Sequence, residues 1–386
     1  MKRWQQLALI ALGLGVAMML VALMLVDFDF RKLDVTEAVQ LHARTASYPV
    51  ARTAGQSASE AEIVRVIDGI GGMQDVNVRI VDGTEITLEY TDSDLMHWEI
   101  ERTGDGTLKM TLHSEMKWYD YLGMNFPDAH SLTIGLPSDA VLDALRLSTT
   151  SGDIDAPRLP RIAELALSST SGVIRCGGEA ESETIGAVSL ASTSGNWQLR
   201  NLSVAGAVSV GTTSGSGDVR AVSAESLVLK STSGCMALED IDVRGDVIAG
   251  STSGNISVKR MNVDGSVQLK STSGCVDVEQ CAAKRWSASS LSGVQLLTNV
   301  KIVDEIRLST TSGNVQLRGV SAGQIDIGTT SGSVVAELPE SAAAYGICTE
   351  TTSGDAHVPD GANGDCPVFI RTTSGSIHVT CGENSK

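Results

Sequence analysis

The chain has 386 residues, with 46 Asp and Glu against 29 Lys and Arg, for a formal charge of −17 and a pI near 4.7. That balance argues against DNA or RNA as a partner, because nucleic-acid binding needs a basic face. Seven cysteines, an odd number in a chain of this length, do not make a disulfide framework.

Residues 1–6 form a short basic-tipped tail, Met1-Lys2-Arg3 first, ahead of a twenty-residue uncharged run from Leu7 to Val26. The run is long enough to cross a bilayer core, and residues 7–26 are predicted to be one uncleaved transmembrane helix. A cleaved signal peptide is the alternative, but the run exceeds a usual signal core and no Ala-x-Ala site follows. A short tail inside and a large C-terminal domain outside is the simpler topology, although Arg31 and Lys32 match Lys2 and Arg3 across the span. Residues 27–62 are polar and rich in Ala, Ser, Thr and Gly, and read as a membrane-proximal stalk.

Alternation returns with Val76/Val78/Ile80, Ile86/Leu88/Tyr90 and Leu132/Ile134/Leu136, so residues 63–140 read as a β-rich cap or irregular first coils. Within them Trp118, Tyr119, Tyr121 and Phe126 cluster, either as a loop over the open end of the repeat array or as a membrane-interface or partner contact.

From residue 141 to 382 a repeat takes over. A hydroxyl-rich tetrapeptide ending in Ser-Gly recurs twelve times, with its serine at 151, 171, 194, 214, 233, 253, 273, 292, 312, 331, 353 and 374. Such a period means units that bury their apolar face only by stacking on neighbours. Six residues before each serine stand Leu145, Leu165, Val188 and their equivalents, and four before stand Leu147, Leu167 and Leu190. Positions three and five after carry pairs such as Ile256/Val258, and eight and ten carry pairs such as Ile241/Val243.

Inward positions are thus expected to advance by 2, 2, 2, 3, 2, 3, 2 and 4 through a twenty-residue coil, with the Ser of Ser-Gly inward and the preceding Thr outward. Steps of two are strand steps, longer steps are turns, and helical periodicity is missing. The predicted fold is all-β: a parallel β-solenoid of about twelve coils, successive coils pairing in sequence order. The glycine is expected at a tight corner, by virtue of a positive φ or a close backbone approach.

Five groups of residues stand out from the repeat. Cys176 and Cys281 fall in core columns; Cys235 and Cys275 share an outward column with Asn255 between them, roughly 9.6 Å apart and beyond disulfide reach. Cys348, Cys366 and Cys381 could include one bridge. His357 and His378 occupy equivalent positions, the sequence's candidate for a transition-metal pair, with a surface coincidence as the plainer reading. In the Ser292 coil Leu291, Val294 and Leu296 fall in outward columns and Gln295 inward, marking either a one-residue slip or an exposed apolar partner contact.

No nucleophile elbow, zincin helix, Walker loop or dinucleotide fingerprint occurs, so no catalytic residue and no cofactor is assigned. The column four after each serine lacks the adjacent carboxylates that a polysaccharide-cleaving β-helix would present.

The N-terminal anchor, the Gly106-Thr107-Leu108-Lys109-Met110 strand, the aromatic stretch after Lys117, Leu132-Thr133-Ile134-Gly135-Leu136-Pro137 and Thr149-Thr150-Ser151-Gly152-Asp153-Ile154 together carry a resemblance. Over roughly residues 63 to 380 the chain resembles the bacterial putative-adhesin β-strand-repeat family, proteins of unknown function with relatives near cell-envelope stress systems. The pattern departs at Leu291, where the usual Thr is lost. The resemblance implies a surface-exposed, membrane-tethered solenoid and offers no catalytic residues. The expected function is non-enzymatic binding, adhesion or scaffolding in the cell envelope, toward an envelope protein or glycan. Alternatives are an envelope-stress sensor signalling through the membrane helix and a glycan-active enzyme.

Overall fold

The computed structural model describes residues 42–52, 63–72, 74–93, 96–115, 131–179 and 182–382. Their strands form one parallel stack, with antiparallel ladders only at the N-terminal end. Neighbouring coils pair in register, with shifts only between Val263 and Ser266 and between Ala283 and Arg285 among the described ladders of the regular array: Leu165 lies between Leu145 and Val188, and Leu238 between Val219 and Val258. The predicted apolar columns are buried throughout the regular array and merge into one elongated core. Among the described residues no helix is long and apolar enough to cross a membrane; the run at 7–26 lies outside them.

The Thr-Ser-Gly corner corrects the expected register by one residue. The Ser of Ser-Gly is exposed in every coil, and in all but the terminal coil, where Gly354 is exposed, the following Gly turns inward instead, so the inward steps run 2, 2, 3, 2, 2, 3, 2 and 4. The cause is a hydrogen bond. The buried hydroxyl two residues before the Ser folds across the corner and accepts the glycine N–H, as Ser169 does from Gly172, Ser231 from Gly234 and Ser251 from Gly254, each at 2.8 Å. The same hydroxyls reach a corner carbonyl: Ser251 donates to Gly234 of the preceding coil at 3.3 Å and Thr372 to Gly332 at 3.1 Å. Apart from Gly354 in the terminal coil, with φ 154°, these glycines are needed for close approach and not for positive φ. A Cβ on Gly172 would sit 1.9 Å from the Gly152 carbonyl oxygen, and one on Gly195 1.8 Å from that of Gly172.

A second corner, seven residues after the Ser, resets the alternation by a left-handed residue repeated coil after coil. Asn201, Ala221, Asp240, Arg260, Gln280 and Asn299 have φ between 49° and 58°, and Gly319 continues the column at 61°. Asn and Asp tolerate this region; Ala221, Arg260 and Gln280 hold it because in-register pairing with neighbouring coils imposes one geometry on all.

Both ends depart from sequential stacking. At the N-terminus Val66–Ile70 and Val76–Val81 form a coil lying directly against Val141–Thr149 and Ile154–Ala156. Thr107–Ser114 and Leu132–Pro137 form another coil on its far side. Antiparallel strands Met96–Arg102, Glu85–Asp92 and His42–Pro49 close that end. The described residues between 63 and 140 therefore form both cap and coils, and His42–Pro49, read from sequence as stalk, is part of the cap.

At the C-terminus Gln324–Thr329 pairs with Cys366–Ser374, whose other edge pairs with Tyr345–Ser353. The last coil in sequence is thus inserted between the coils of Ser331 and Ser353. Composition explains the exchange. The inserted coil places Val368, Ile370, Ile377 and Val379 in the core columns, all buried, where the Ser353 coil has Ile347, Thr349, Ala356 and Val358. Burying the more apolar coil and leaving the more polar one as the terminal cap gains apolar burial and solubility together. No bridge forms at this end: Cys348, Cys366 and Cys381 are all free, Cys348 pointing outward and Cys366 Sγ lying 3.2 Å from the Ala322 carbonyl oxygen.

Candidate functional site

Three surfaces of the rod are distinct. The first is the ridge at the Thr-Ser-Gly corner, where Thr150, Thr170, Thr193, Thr213, Thr232, Thr252, Thr272, Thr311, Thr330, Thr352 and Thr373 are exposed beside the exposed serines. Backbone bonds such as Ser171 N–H to the Thr150 carbonyl and Ser194 N–H to that of Thr170, both 2.8 Å, hold the ridge to the coil spacing.

The second surface, three to six residues after each Ser, is a lattice of ion pairs climbing from coil to coil. Arg200 and Arg220 both engage Asp218, at 2.8 and 2.9 Å; Arg220 also reaches Glu239 at 3.3 Å, and Lys259 meets Glu279 at 3.2 Å. Such exposed pairs contribute well under about 1 kcal/mol each, and they occupy the charges that would otherwise recruit a ligand.

The third surface, eight to eleven residues after each Ser, is concave. Three shallow concavities of about 530, 430 and 360 Å³ follow one another across the coils of Ser194 to Ser292. Ser203, Ser223 and Asp242 are common walls of the first two, and Asn262 and Asp264 of the last two, so they form one groove along the rod axis. Its floor is the column Ser203, Ser223, Asp242, Asn262, spaced by the strand separation of about 4.8 Å. The left-handed corner residues Asn201, Ala221 and Asp240 set one rim.

Ser182 and Thr184, in the coil lengthened to twenty-three residues, close one end. Asp240 is fixed by Arg260 Nε at 2.6 Å, and that bond holds its carboxyl below the usual range; Asp242 and Asp264 are exposed. Small hydroxyl, amide and carboxylate groups on a rigid strand ladder can hydrogen-bond an extended, polar, hydroxylated chain lying lengthwise. The sequence reading missed this groove, because the column nine after each Ser looks like ordinary solvated surface until the second corner turns it concave.

The residues singled out from sequence fall as follows. Gln295 pairs with Val276 and Val315, in register, and is wholly buried, with its Nε2 donating to the Ser309 carbonyl at 2.7 Å and its Oε1 unpaired. The one-residue slip does not occur. Leu291 is 51% and Val294 38% exposed, with Leu296 half-buried. His357 and His378 pair directly across strands, both exposed, with ring centroids 5.9 Å apart. Trp118, Tyr119, Tyr121 and Phe126 lie outside the described residues. A second histidine pair was not singled out: His97 faces His113 across the cap hairpin, with His113 bonded to Glu99. The signal was present in the alternation His97-Trp98-Glu99 and the Thr103–Gly106 turn that brings His113 opposite.

No curated protein matches the chain. Among solved structures it is similar to a putative adhesin from Bacteroides fragilis, at 12% identity over 88% of this chain and 97% of that one, with a TM-score of 0.24. It is also similar to a putative adhesin from Parabacteroides merdae, at 13% identity over 76% and 95%, TM-score 0.32. A putative lipid binding protein from Parabacteroides distasonis is similar at 13% identity over 88% and 97%, TM-score 0.28. At these scores none bears on ligand or mechanism. The family profile described as Toastrack DUF4097 matches residues 72–293 and 240–380, well over half of the chain, and its repeat is the stacked coil seen here: the chain belongs to the Toastrack DUF4097 family.

Proposed function

We propose that this chain is a non-enzymatic binding and scaffolding protein of the bacterial cell envelope, held by a membrane helix at 7–26 with the rod extracytoplasmic, and that its ligand is an extended envelope glycan seated in the groove of the third face. The observation that carries this reading is the groove itself: a run of linked concavities floored by Ser203, Ser223, Asp242 and Asn262 on a backbone that cannot collapse. A preformed, rigid, polar trough spends little free energy on ordering when a chain-like ligand binds. Of the groove's carboxylates, Asp240 is tied to Arg260, which suits positioning better than proton transfer, while Asp242 and Asp264 stand exposed in different coils.

Filling the trough tests it. Purified full-length protein is expected to bind isolated cell-wall glycan saturably, and Ser223→Trp, an outward substitution, is expected to lower that binding at least tenfold without shifting the melting temperature. Unchanged binding in Ser223→Trp would remove the groove from the account.

A further inference from the structure

We propose that the cap hairpin carries a transition-metal site for Cu²⁺, Ni²⁺ or Zn²⁺, with His97 and His113 as ligands and Glu99 as the carboxylate that orients His113. The strands Met96–Arg102 and Thr107–Ser114 place His97 and His113 directly opposite one another on the outer face, with exposed imidazoles. Their ring centroids are 5.5 Å apart and their planes differ by 22°. Two imidazoles bound to one ion at metal–nitrogen distances of about 2.0–2.1 Å have centroids on the order of 5 Å apart, so the spacing fits, and turning the His97 ring out of its stacked arrangement aims a nitrogen at the shared ion.

His113 Nε2 lies 2.7 Å from Glu99 Oε2. With that N–H donated to the carboxylate, the lone pair of Nδ1 is left for a metal, the arrangement in which an outer carboxylate fixes a ligand's tautomer and raises its basicity. The set is two nitrogen ligands with a carboxylate behind one of them, not three converged ligands, so further positions on the ion belong to water or a partner. Imidazole ligation favours Cu²⁺ over Ni²⁺ and Zn²⁺.

A second observation points the same way. The chain has six histidines, and four of them stand in two directly paired cross-strand positions, His97/His113 and His357/His378. In an otherwise histidine-poor sequence that distribution is far from scatter. The C-terminal pair has rings 5.9 Å apart and tilted by 50°, and among the described residues no hydrogen bond engages either ring, which makes it the weaker of the two. It serves as the internal comparison.

The test is titration of chelator-treated, thiol-blocked full-length protein with Cu²⁺ and, separately, Zn²⁺ by calorimetry, with electron paramagnetic resonance of the Cu²⁺ form. The expected result is two classes of site, the tighter showing hyperfine coupling to two imidazole nitrogens. His97→Asn or His113→Asn is expected to abolish the tighter class, Glu99→Gln to weaken it about tenfold, and His378→Asn to remove only the weaker. Circular dichroism of each variant, expected to match wild type for these exposed side chains, separates lost ligation from lost folding. Absence of nitrogen coupling in the wild type, or a tight class untouched by His97→Asn in the folded variant, would overturn the proposal.

Discussion

Replacing Gly254 by Ala, with Gly250→Ala as its partner in the same coil, tests what holds the stack together. A Cβ on Gly254 would lie 1.9 Å from the Gly234 carbonyl oxygen and 2.8 Å from Ser251 Oγ, whereas on Gly250 the nearest heavy atom is the Lys270 carbonyl oxygen at 3.9 Å. The first clash is with the backbone of the adjacent coil, so relief requires parting two coils at the corner. Overpacking of this kind costs about 1–3 kcal/mol or more, and the 2.8 Å Gly254 N–H to Ser251 Oγ bond, worth about 1 kcal/mol, is distorted with it.

A destabilisation of about 3–4 kcal/mol is expected for Gly254→Ala. Gly250→Ala should instead be neutral or stabilising by about 0.5–1 kcal/mol, through the reduced entropy of the unfolded chain. The assay is urea unfolding followed by tryptophan fluorescence, since Trp197 and Trp286 are buried in the array, together with amide hydrogen exchange. Exchange matters because a repeat stack can open locally before it unfolds. Equal unfolding midpoints for the two variants, or unchanged protection at the corner in Gly254→Ala, would refute the close-approach argument.

Further outcomes follow from the same register. Leu269→Asp buries an uncompensated carboxylate in the core and is expected to cost several kcal/mol, while Lys270→Asp on the outer face should stay within about 0.5 kcal/mol; thermal melts of the two decide whether the columns are assigned correctly. Burial pushes the Cys176 thiol up from 9.0 to about 12 and the Cys281 thiol up to about 11. These are groups whose folded pKa is raised, so their stabilising effect is complete below the unfolded value near pH 9 and is lost as pH rises toward 11–12. Cys176→Val should flatten the alkaline fall in urea midpoint between pH 9 and 11.5, and an unchanged slope would contradict the burial.

The double substitution Leu291→Thr, Leu296→Gln tests the apolar coil as a lateral contact: light scattering of the full-length protein is expected to show reduced association, and identical mass with and without the changes would leave a neutral surface. Protease added to intact cells is expected to degrade the rod, and complete protection until lysis would reverse the proposed topology.

The repeat was legible because Leu, Ile and Val return to the same columns in coil after coil, and in-register stacking then leaves little freedom. What was not legible traces to places where local alternation yields to a contact further away. The Ser of Ser-Gly was placed inward by continuing the strand alternation through the corner, but the hydroxyl two residues earlier bends back to the glycine N–H and shifts the reset by one. The exchanged C-terminal coils follow from a competition between Ile370 and Thr349 for the same column, a difference between coils that no single coil displays. For Leu291, Val294 and Gln295 the sequence posed the right alternatives, and strict pairing of Gln295 with Val276 and Val315 selected between them. The groove needed the left-handed corner at Ala221 and Asp240, of which Asp240 is a residue type that tolerates a positive φ and Ala221 carries no sequence mark of one.

The most direct test of the binding account is carboxyl footprinting of the full-length protein with a water-soluble carbodiimide and an amine, in the absence and presence of isolated cell-wall glycan, read by peptide mass spectrometry. In the free protein the exposed carboxylates Asp242 and Asp264 in the groove and Asp277 outside it should all be labelled. With glycan bound, labelling of Asp242 and Asp264 is expected to fall several-fold while Asp277 is unchanged. Protection spread equally over all three, or none at Asp242 and Asp264 under conditions where the protein is bound, would contradict the groove as the binding face.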